Sequence, residues 1–424
     1  MRETVWQLVA RACPDGVPYR KLGEVCEFPT ERISMSNAKC YVGVENLVKD
    51  RGGANVSYDF PKADTAIAFK SGDVLIGNIR PYLRKIWLAD SEGGTNGDVI
   101  LIRVASESLN ARYLYYNLSS ESFFYFLNNG ARGGKMPRGD KKSVPTYPIP
   151  VPPPEVQREV VRILDEFTTL LSLLGEELAA RRKQYAYYRD CLLSFDARGG
   201  SGGMRLPPAI ARMVSQLCPD GVPYRKLGEV CVSLRTGLNP RRFFRLNTED
   251  AQNYYVTIRE IKNHRIVFSD KTDRINDDAL KLCNNRSNLE AGDVLFSGTG
   301  TIGNVAVIEE TPTNWNIKEG VYVIKPTKAI VPKFLMYLFE SSNIRDSYMS
   351  QIEGGTVKSI SMAKMNNLPI PIPPHQVQRE VVRILDEYST LTESLTSGLP
   401  AEIAARQKQY EYYRDKLLSF KRKS

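Results

Sequence analysis

Asn78-Ile-Arg80-Pro-Tyr82-Leu-Arg84-Lys85 brings three cations, an amide and a phenol into one short stretch of this 424-residue chain. Lys135, Arg138, Lys141 and Lys142 form a second basic group just after Gly133-Gly134. Further on, Arg235, Arg241, Arg242 and Arg245 surround a Gly/Asn/Pro turn, Thr299 and Thr301 stand among glycines, and Lys358 follows Gly354-Gly355. Arginine and asparagine carry the paired groups that read base edges, whereas lysine and threonine serve phosphates. Any one of these side chains also reads as a solvated surface charge. Basic loops recurring in both halves point instead to a polyanionic partner, in keeping with a net charge of +10.

Catalytic chemistry finds no comparable support. Asn239-Pro240-Arg241 lacks the second proline and the aromatic residue of an adenine methyltransferase loop. Gly298-Thr-Gly-Thr-Ile-Gly303 matches dinucleotide-loop spacing by letter, but a lone match reads as a tight turn between strands. There is no Walker A lysine motif, no His-Glu-x-x-His pair and no nucleophile elbow. His264 and His375 are the only histidines, and the Cys13/Cys26 and Cys218/Cys231 spacings are too wide for a zinc knuckle. No metal site and no catalytic residue is expected.

The elements that must position the basic loops are set out by repetition. CPDGVPYRKLGEVC occurs unchanged at 13–26 and 218–231, VQREVVRILDE at 156–166 and 377–387, and KQYAYYRDCLLSF at 183–195 returns as KQYEYYRDKLLSF at 408–420. The period is too long for a solenoid, so the chain is two copies of one large unit with shared edges and different centres. Lys and Arg minus Asp and Glu give 16 − 13 = +3 for residues 27–150 and 18 − 15 = +3 for 232–374. Within each centre, Gly-Asp turns at 72–73 and 292–293 precede apolar strands, and Thr95-Asn96-Gly97-Asp98 introduces another. Tyr113–Leu127 and Phe334–Met349 read as helices, and both centres close on extended Pro-Ile-Pro segments.

Residues 155–195 read as one helix with a heptad seam through Val156, Val160, Ile163, Phe167, Leu170, Leu174, Leu178, Arg181, Tyr185, Tyr188, Leu192 and Phe195. At 1.5 Å per residue it is about 60 Å long. The second seam runs through Val377, Val381, Ile384, Tyr388, Leu391 and Leu395, then Ile403, Arg406, Tyr410, Tyr413, Leu417 and Phe420. Ser397-Gly398-Leu399-Pro400 intervenes, and Pro400 is expected to kink or break it. Connectivity favours an antiparallel coiled coil with a module at each end; the plainer alternative packs each helix on its own domain. The expected fold is therefore α+β, with mixed α/β modules and pseudo-twofold symmetry. Its domains are 1–154, a spacer helix 155–196, a flexible linker 197–217, a second module 218–374 and a second spacer helix 375–424. Arg198–Gly203 has linker composition, and with Met204 after it reads either as a fusion of two halves or as a native loop. No signal peptide and no membrane span is legible, which makes the cytoplasm the expected compartment and its cysteines reduced.

Taken together these blocks resemble the specificity (S) subunit of type I restriction–modification systems over essentially the whole chain. The carriers are the paired Cys-Pro-Asp-Gly-Val-Pro-Tyr starts, the Gly-Asp-Val-Leu strands, the Pro-Ile-Pro-x-Pro-Pro ends and both helix blocks, with Ser397–Ile403 as a further signature. The first helix lacks that insertion, and the Gly-Ser linker is a second departure. The resemblance implies that each module is a target recognition domain reading half of a bipartite double-stranded DNA site, with the helices as spacer. It implies two methyltransferase (M) subunits carrying S-adenosylmethionine, restriction (R) subunits, no cofactor in this chain and no membrane. An identical partner needs identical surfaces, so Tyr187, Tyr188 and Arg189, with Tyr412, Tyr413 and Arg414, are docking candidates. A protein-binding scaffold, or a specificity chain fused to methyltransferase or nuclease activity, is the alternative.

Overall fold

Short apolar runs punctuated by Gly and Asp fold both halves around small, mainly antiparallel sheets. The computed structural model describes residues 4–131, 133–195, 206–354, 357–393 and 398–423. Its contacts divide the chain into one unit of Met1–Leu173 with Ile403–Ser424 and another of Leu174–Glu402.

The first unit runs α1 (Val5–Ala12), β1 (Tyr19–Lys21), α2 (Leu22–Val25), β2 (Cys26–Glu27), β3 (Arg32–Ser34), β4 (Thr65–Phe69), β5 (Val74–Gly77), β6 (Ile86–Leu88), β7 (Gly93–Thr95) and β8 (Val99–Val104). Helices α3 (Ala111–Leu118) and α4 (Glu121–Asn129), strand β9 (Pro148–Pro150) and the long helix α5 (Pro154–Leu192) follow. Its sheets have the orders β2-β8-β5-β6, β3-β4-β7 and β1-β9. The second unit begins with α6 (Pro208–Leu217), β10 (Tyr224–Lys226), β11 (Cys231–Thr236), α7 (Pro240–Phe243), β12 (Asn253–Val256), β13 (Ile261–Lys262), β14 (Arg265–Ile266) and β15 (Arg274–Ile275). It continues with α8 (Asp277–Ser287), β16 (Val294–Ser297), β17 (Val305–Val307), β18 (Trp315–Ile317), β19 (Val321–Pro326), α9 (Pro332–Glu340), α10 (Ser342–Met349), α11 (Met362–Asn366) and β20 (Pro369–Pro371), then α12 (His375–Glu393). Helix α13 (Leu399–Leu417) returns to the first unit, most of its residues lying there. The order β11-β19-β16-β17 repeats the larger sheet of the first unit.

The Gly-Asp turns set these sheets. Asp73 Oδ2 accepts from the Lys70 N–H at 2.8 Å, and its carboxylate holds Arg103 of β8 at 2.7 and 2.8 Å. Asp293 repeats the design, accepting from Glu290 N–H at 2.9 Å and from Lys325 Nζ of β19 at 2.8 Å. Both turns lead into strands buried at every residue.

The repeated helix block explains itself equally well. Val156, Val160 and Leu164 enter the first unit's core, and Val377, Val381 and Leu385 enter the second's. Asp165 accepts from Tyr116 Oη at 2.5 Å and Arg112 Nε at 2.7 Å; Asp386 accepts from Tyr337 Oη and Lys333 Nζ, both at 2.7 Å. In each unit one helix end arrives at the core and another leaves it. The start of α5 and the end of α13 share the first core, the end of α5 and the start of α12 the second, so the two partners run in opposite directions within each unit.

Three sequence expectations need correction. The seam is buried at its ends but not through its middle: Leu170 is exposed, and partly buried Leu171 packs on the core instead. Tyr113–Leu127 and Phe334–Met349 are each two helices, because Ser120 caps α4 through the Phe123 N–H and the break at Ser341 separates α9 from α10. The stretch 197–217 is helical over Pro208–Leu217, where Ile210, Met213 and Val214 pack on the second core. The break expected around Pro400 is present: the second spacer is two helices, with Pro400 in the first turn of α13, where its missing N–H costs nothing. Arg198–Gly203 and Met204 lie outside the described residues.

Among the described residues, the two copies of the fourteen-residue block differ in what covers them. Val17 N–H donates to Lys421 O at 2.8 Å, Lys423 N–H donates to Val17 O at 2.9 Å, and the Arg422 guanidinium lies 4.5 Å from the Tyr19 ring centroid. Gly16 has φ +105°, and a Cβ there would sit 2.6 Å from the Arg422 carbonyl oxygen; at Gly221, φ +93°, a Cβ meets nothing within 4 Å among the described residues. Gly16→Ala is thus expected to cost about 2–3 kcal/mol in the first unit, against about 1–2 kcal/mol for Gly221→Ala in the second. Denaturant unfolding of the two variants checks the difference.

Candidate nucleic-acid interface

In the first unit the chain leaves β5 at Gly77 and enters the Asn78–Lys85 loop. Arg80 N–H donates to Pro137 O at 2.7 Å, Gly139 N–H to Asn78 O at 3.1 Å, and Asn78 N–H to Asp98 O at 3.0 Å. The loop is thereby zipped to the segment after Gly133-Gly134, and two basic groups distant in sequence become neighbours. Pro81–Leu83 is a single 3-10 turn bounded by left-handed Arg80 (φ 52°) and Arg84 (φ 50°), and it presents Tyr82 with 51% exposure. Lys135 and Lys142 are exposed, as is Arg138, which pairs with Asp98 at 3.3 Å.

Other candidates in this loop are bound internally. Lys85 Nζ donates to Val44 O at 2.6 Å, and Lys141 Nζ donates to the carbonyls of Gly97 and Val99. Burial lowers both ammonium pKa values. Arg84 pairs with Glu121 at 3.1 Å. Asn78 is buried, and its Oδ1 and the nearby Arg80 Nε have no hydrogen-bond partner among the described residues. Buried polar atoms in that state are uncommon enough to mark a site.

The second unit repeats the frame with other side chains. The chain leaves β16 at Ser297, turns through Gly298–Gly303 and returns as antiparallel β17, so the glycine motif is indeed a turn between strands. Gly300 N–H donates to Lys358 O at 2.8 Å, Ile360 N–H to Gly298 O at 3.0 Å, and Gly298 N–H to Gly320 O at 2.8 Å. Thr299, Thr301 and Lys358 come together this way, the last two exposed and Thr299 half-buried. Gly320 N–H also donates to Thr236 Oγ1 at 3.0 Å, and Asn239 Nδ2 donates to Glu319 Oε2 at 2.8 Å. These bonds bring the end of β11 and the start of α7 to the same sheet end. Arg235, Arg242 and Arg245 are exposed there, while the Arg241 side chain lies outside what is described. Exposed Lys318, Phe243 and Val357 join this face, and Met136 joins its counterpart. Sequence reading passed over them because an isolated lysine or apolar loop residue carries no motif.

The helix candidates separate by exposure. Tyr188 stacks on Tyr388 at 5.5 Å and 25°, and Tyr413 stacks on Phe167 at 5.6 Å and 25°. Both are thus used in helix pairing. Tyr187 and Tyr412 are 58% and 60% exposed. Arg189 pairs with Asp190 at 3.0 Å, and Arg414 is 1% exposed beside Asp415 at 2.8 Å. Among the described residues no helix is long and apolar enough to cross a membrane, and no cluster of His, Cys, Asp and Glu is placed to hold a metal.

A family model described as the type I restriction modification DNA specificity domain matches residues 14–180 and again 219–405. The chain is 30% identical to S.HindORF215P of Haemophilus influenzae, named as a type I restriction enzyme specificity subunit, over 74% of this chain and 73% of that one. It is 31% identical to the EcoR124I/EcoR124II specificity subunit of Escherichia coli, over 73% of this chain and 70% of the other. The same fold appears in a chain solved for the structural basis of complex assembly and conformational transition of the type I R-M system, with a TM-score of 0.58, 22% identity and coverage of 95% and 97%. With both repeated halves matched and relatives of this identity spanning most of its length, the chain belongs to the family of type I restriction–modification DNA specificity subunits.

Proposed function

We propose that the chain is the non-catalytic DNA reader of a restriction–modification complex, each module reading one half of a bipartite double-stranded site. The observation that carries this reading is one backbone frame used twice with different contents. Arg80, Tyr82, Lys135, Arg138 and Lys142 occupy it in the first unit, and Arg242, Arg245, Thr301, Lys318 and Lys358 in the second. A common frame with unlike side chains suits two readers of unlike half-sites. The 39 residues of α5 span about 58 Å, beyond one DNA turn of about 34 Å, which suits an interrupted site.

On this reading two methyltransferase subunits bring S-adenosylmethionine and restriction subunits join them, in the cytoplasm. The duplicated helix surfaces around Tyr187 and Tyr412 are the proposed docking points, with Tyr188, Tyr413, Arg189 and Arg414 holding them in place. The domains 1–154 and 218–374 serve as the exchangeable readers. The test is a map of methylated adenines in cells with and without this chain alongside its methyltransferase partner. Loss of one bipartite motif on deletion supports the reading, and an unchanged map overturns it.

The charges make a separate prediction. Replacing Lys135, Arg138 and Lys142 together by alanine should flatten the slope of log affinity against log salt by about 2.7, at about 0.9 per lost phosphate contact. An unaltered slope in a binding titration would place these residues away from DNA.

A further inference from the structure

We propose that Glu121 is a positioning residue for half-site readout by the first module, acting with Arg51 to hold the Arg80–Arg84 turn in its presenting shape. This rests on the reading of that loop as a DNA-facing element. Two turns meet here, with Asp50 N–H donating to Leu83 O at 2.8 Å and Arg51 N–H donating to Arg84 O at 2.9 Å. Four non-glycine residues in the pair adopt left-handed backbone: Asp50 (φ 54°), Arg51 (φ 64°), Arg80 (φ 52°) and Arg84 (φ 50°). Each such residue costs about 1–3 kcal/mol and persists only where its surroundings fix it.

The fixing contacts converge on Glu121. Its carboxylate accepts from Arg51 at 2.8 Å through one oxygen and from Arg84 at 3.1 Å through the other, so one side chain ties both turns. Arg51 Nε also donates to Ser119 O at 2.5 Å, and Arg84 lies 3.7 Å from Asp50. Glu121 is the first residue of α4, where the helix dipole favours an anion. Burial works against its ionisation, but Arg51, Arg84 and Arg414 prevail and hold the carboxyl below its ordinary value. The clamp is therefore charged at neutral pH. Among the described residues it has no copy in the second unit, where the first residue of the equivalent helix is Ser342, bonded to Asp190 through its N–H and Oγ.

The experiment uses the chain assembled with its methyltransferase subunits and duplexes carrying the motif found by methylome mapping. Further duplexes carry single substitutions in either half-site. Glu121→Gln is expected to lower discrimination at the first half-site about tenfold and leave the second unchanged. Arg84→Gln should do the same, and the double variant should be no worse than Arg84→Gln alone. A Glu121→Gln protein with unchanged discrimination at the first half-site, or with equal loss at both, overturns the proposal. Should Glu121→Gln fail to assemble, Arg84→Gln decides by the same readings. Absence of any bipartite motif with the unaltered chain would instead defeat the functional reading itself.

Discussion

Replacing Gln157 with alanine is expected to destabilise the first unit by about 2–4 kcal/mol, and Gln378→Ala the second by as much. Both glutamines are fully buried within the repeated helix block. Gln157 Nε2 donates to Ser108 O and Pro152 O at 2.7 Å each, and its Oε1 accepts from Asn110 N–H at 2.8 Å. Gln378 Nε2 donates to Ala329 O at 3.0 Å and Pro373 O at 2.7 Å, and its Oε1 accepts from Val331 N–H at 2.8 Å. One side chain in each unit thus pins the spacer helix to the loop before α3 or α9. Truncation deprives one buried carbonyl, that of Pro152 or Pro373, and two partly covered backbone groups of this partner, at about 1–3 kcal/mol for a buried group left unsatisfied and less for the others. Denaturant titration followed by a probe in each unit should show only the unit carrying the substitution shifting. A loss below about 1 kcal/mol would contradict this account of the repeat.

Asp190→Ala should cost the second unit about 2–4 kcal/mol. The carboxylate accepts from Ser342 N–H at 3.0 Å and from Ser342 Oγ at 2.5 Å, so a residue of α5 caps the start of α10. A lost cap is worth about 1 kcal/mol, and charge-assisted bonds add about 1.5–3 kcal/mol. Arg189, whose side chain is only 15% exposed, would also lose its pair. Hydrogen exchange should quicken in the first turn of α10 and not in α4, whose cap is Ser120. Unchanged protection in α10 would show that Asp190 does not hold that joint.

Residues that recur in both halves were the legible ones. Val156 and Val377, or the Gly-Asp turns at Asp73 and Asp293, meet the same surroundings twice, and apolar period or turn chemistry exposes them directly. The open middle of the seam was not legible, because Leu170 and Leu171 differ only in which way the helix turns them. The basic groups were visible by residue type, but the bond from Arg80 to Pro137 joins segments that no local pattern connects. Lys85 and Lys141 looked like phosphate contacts and spend their ammonium groups on backbone carbonyls. Glu121 escaped notice because an acid in a first helical turn already has a sufficient local reason.

On the proposed function, one backbone frame carries two interchangeable readers. Replacing residues 232–368 with a second copy of residues 27–147 tests that most directly, since the repeated edges at 13–26 and 218–231 and at 148–150 and 369–371 stay in place. Methylome mapping of cells expressing the exchanged chain with its methyltransferase partner should reveal an inverted repeat of the first half-site across the original spacer. A methylated motif that keeps the original second half-site would contradict it.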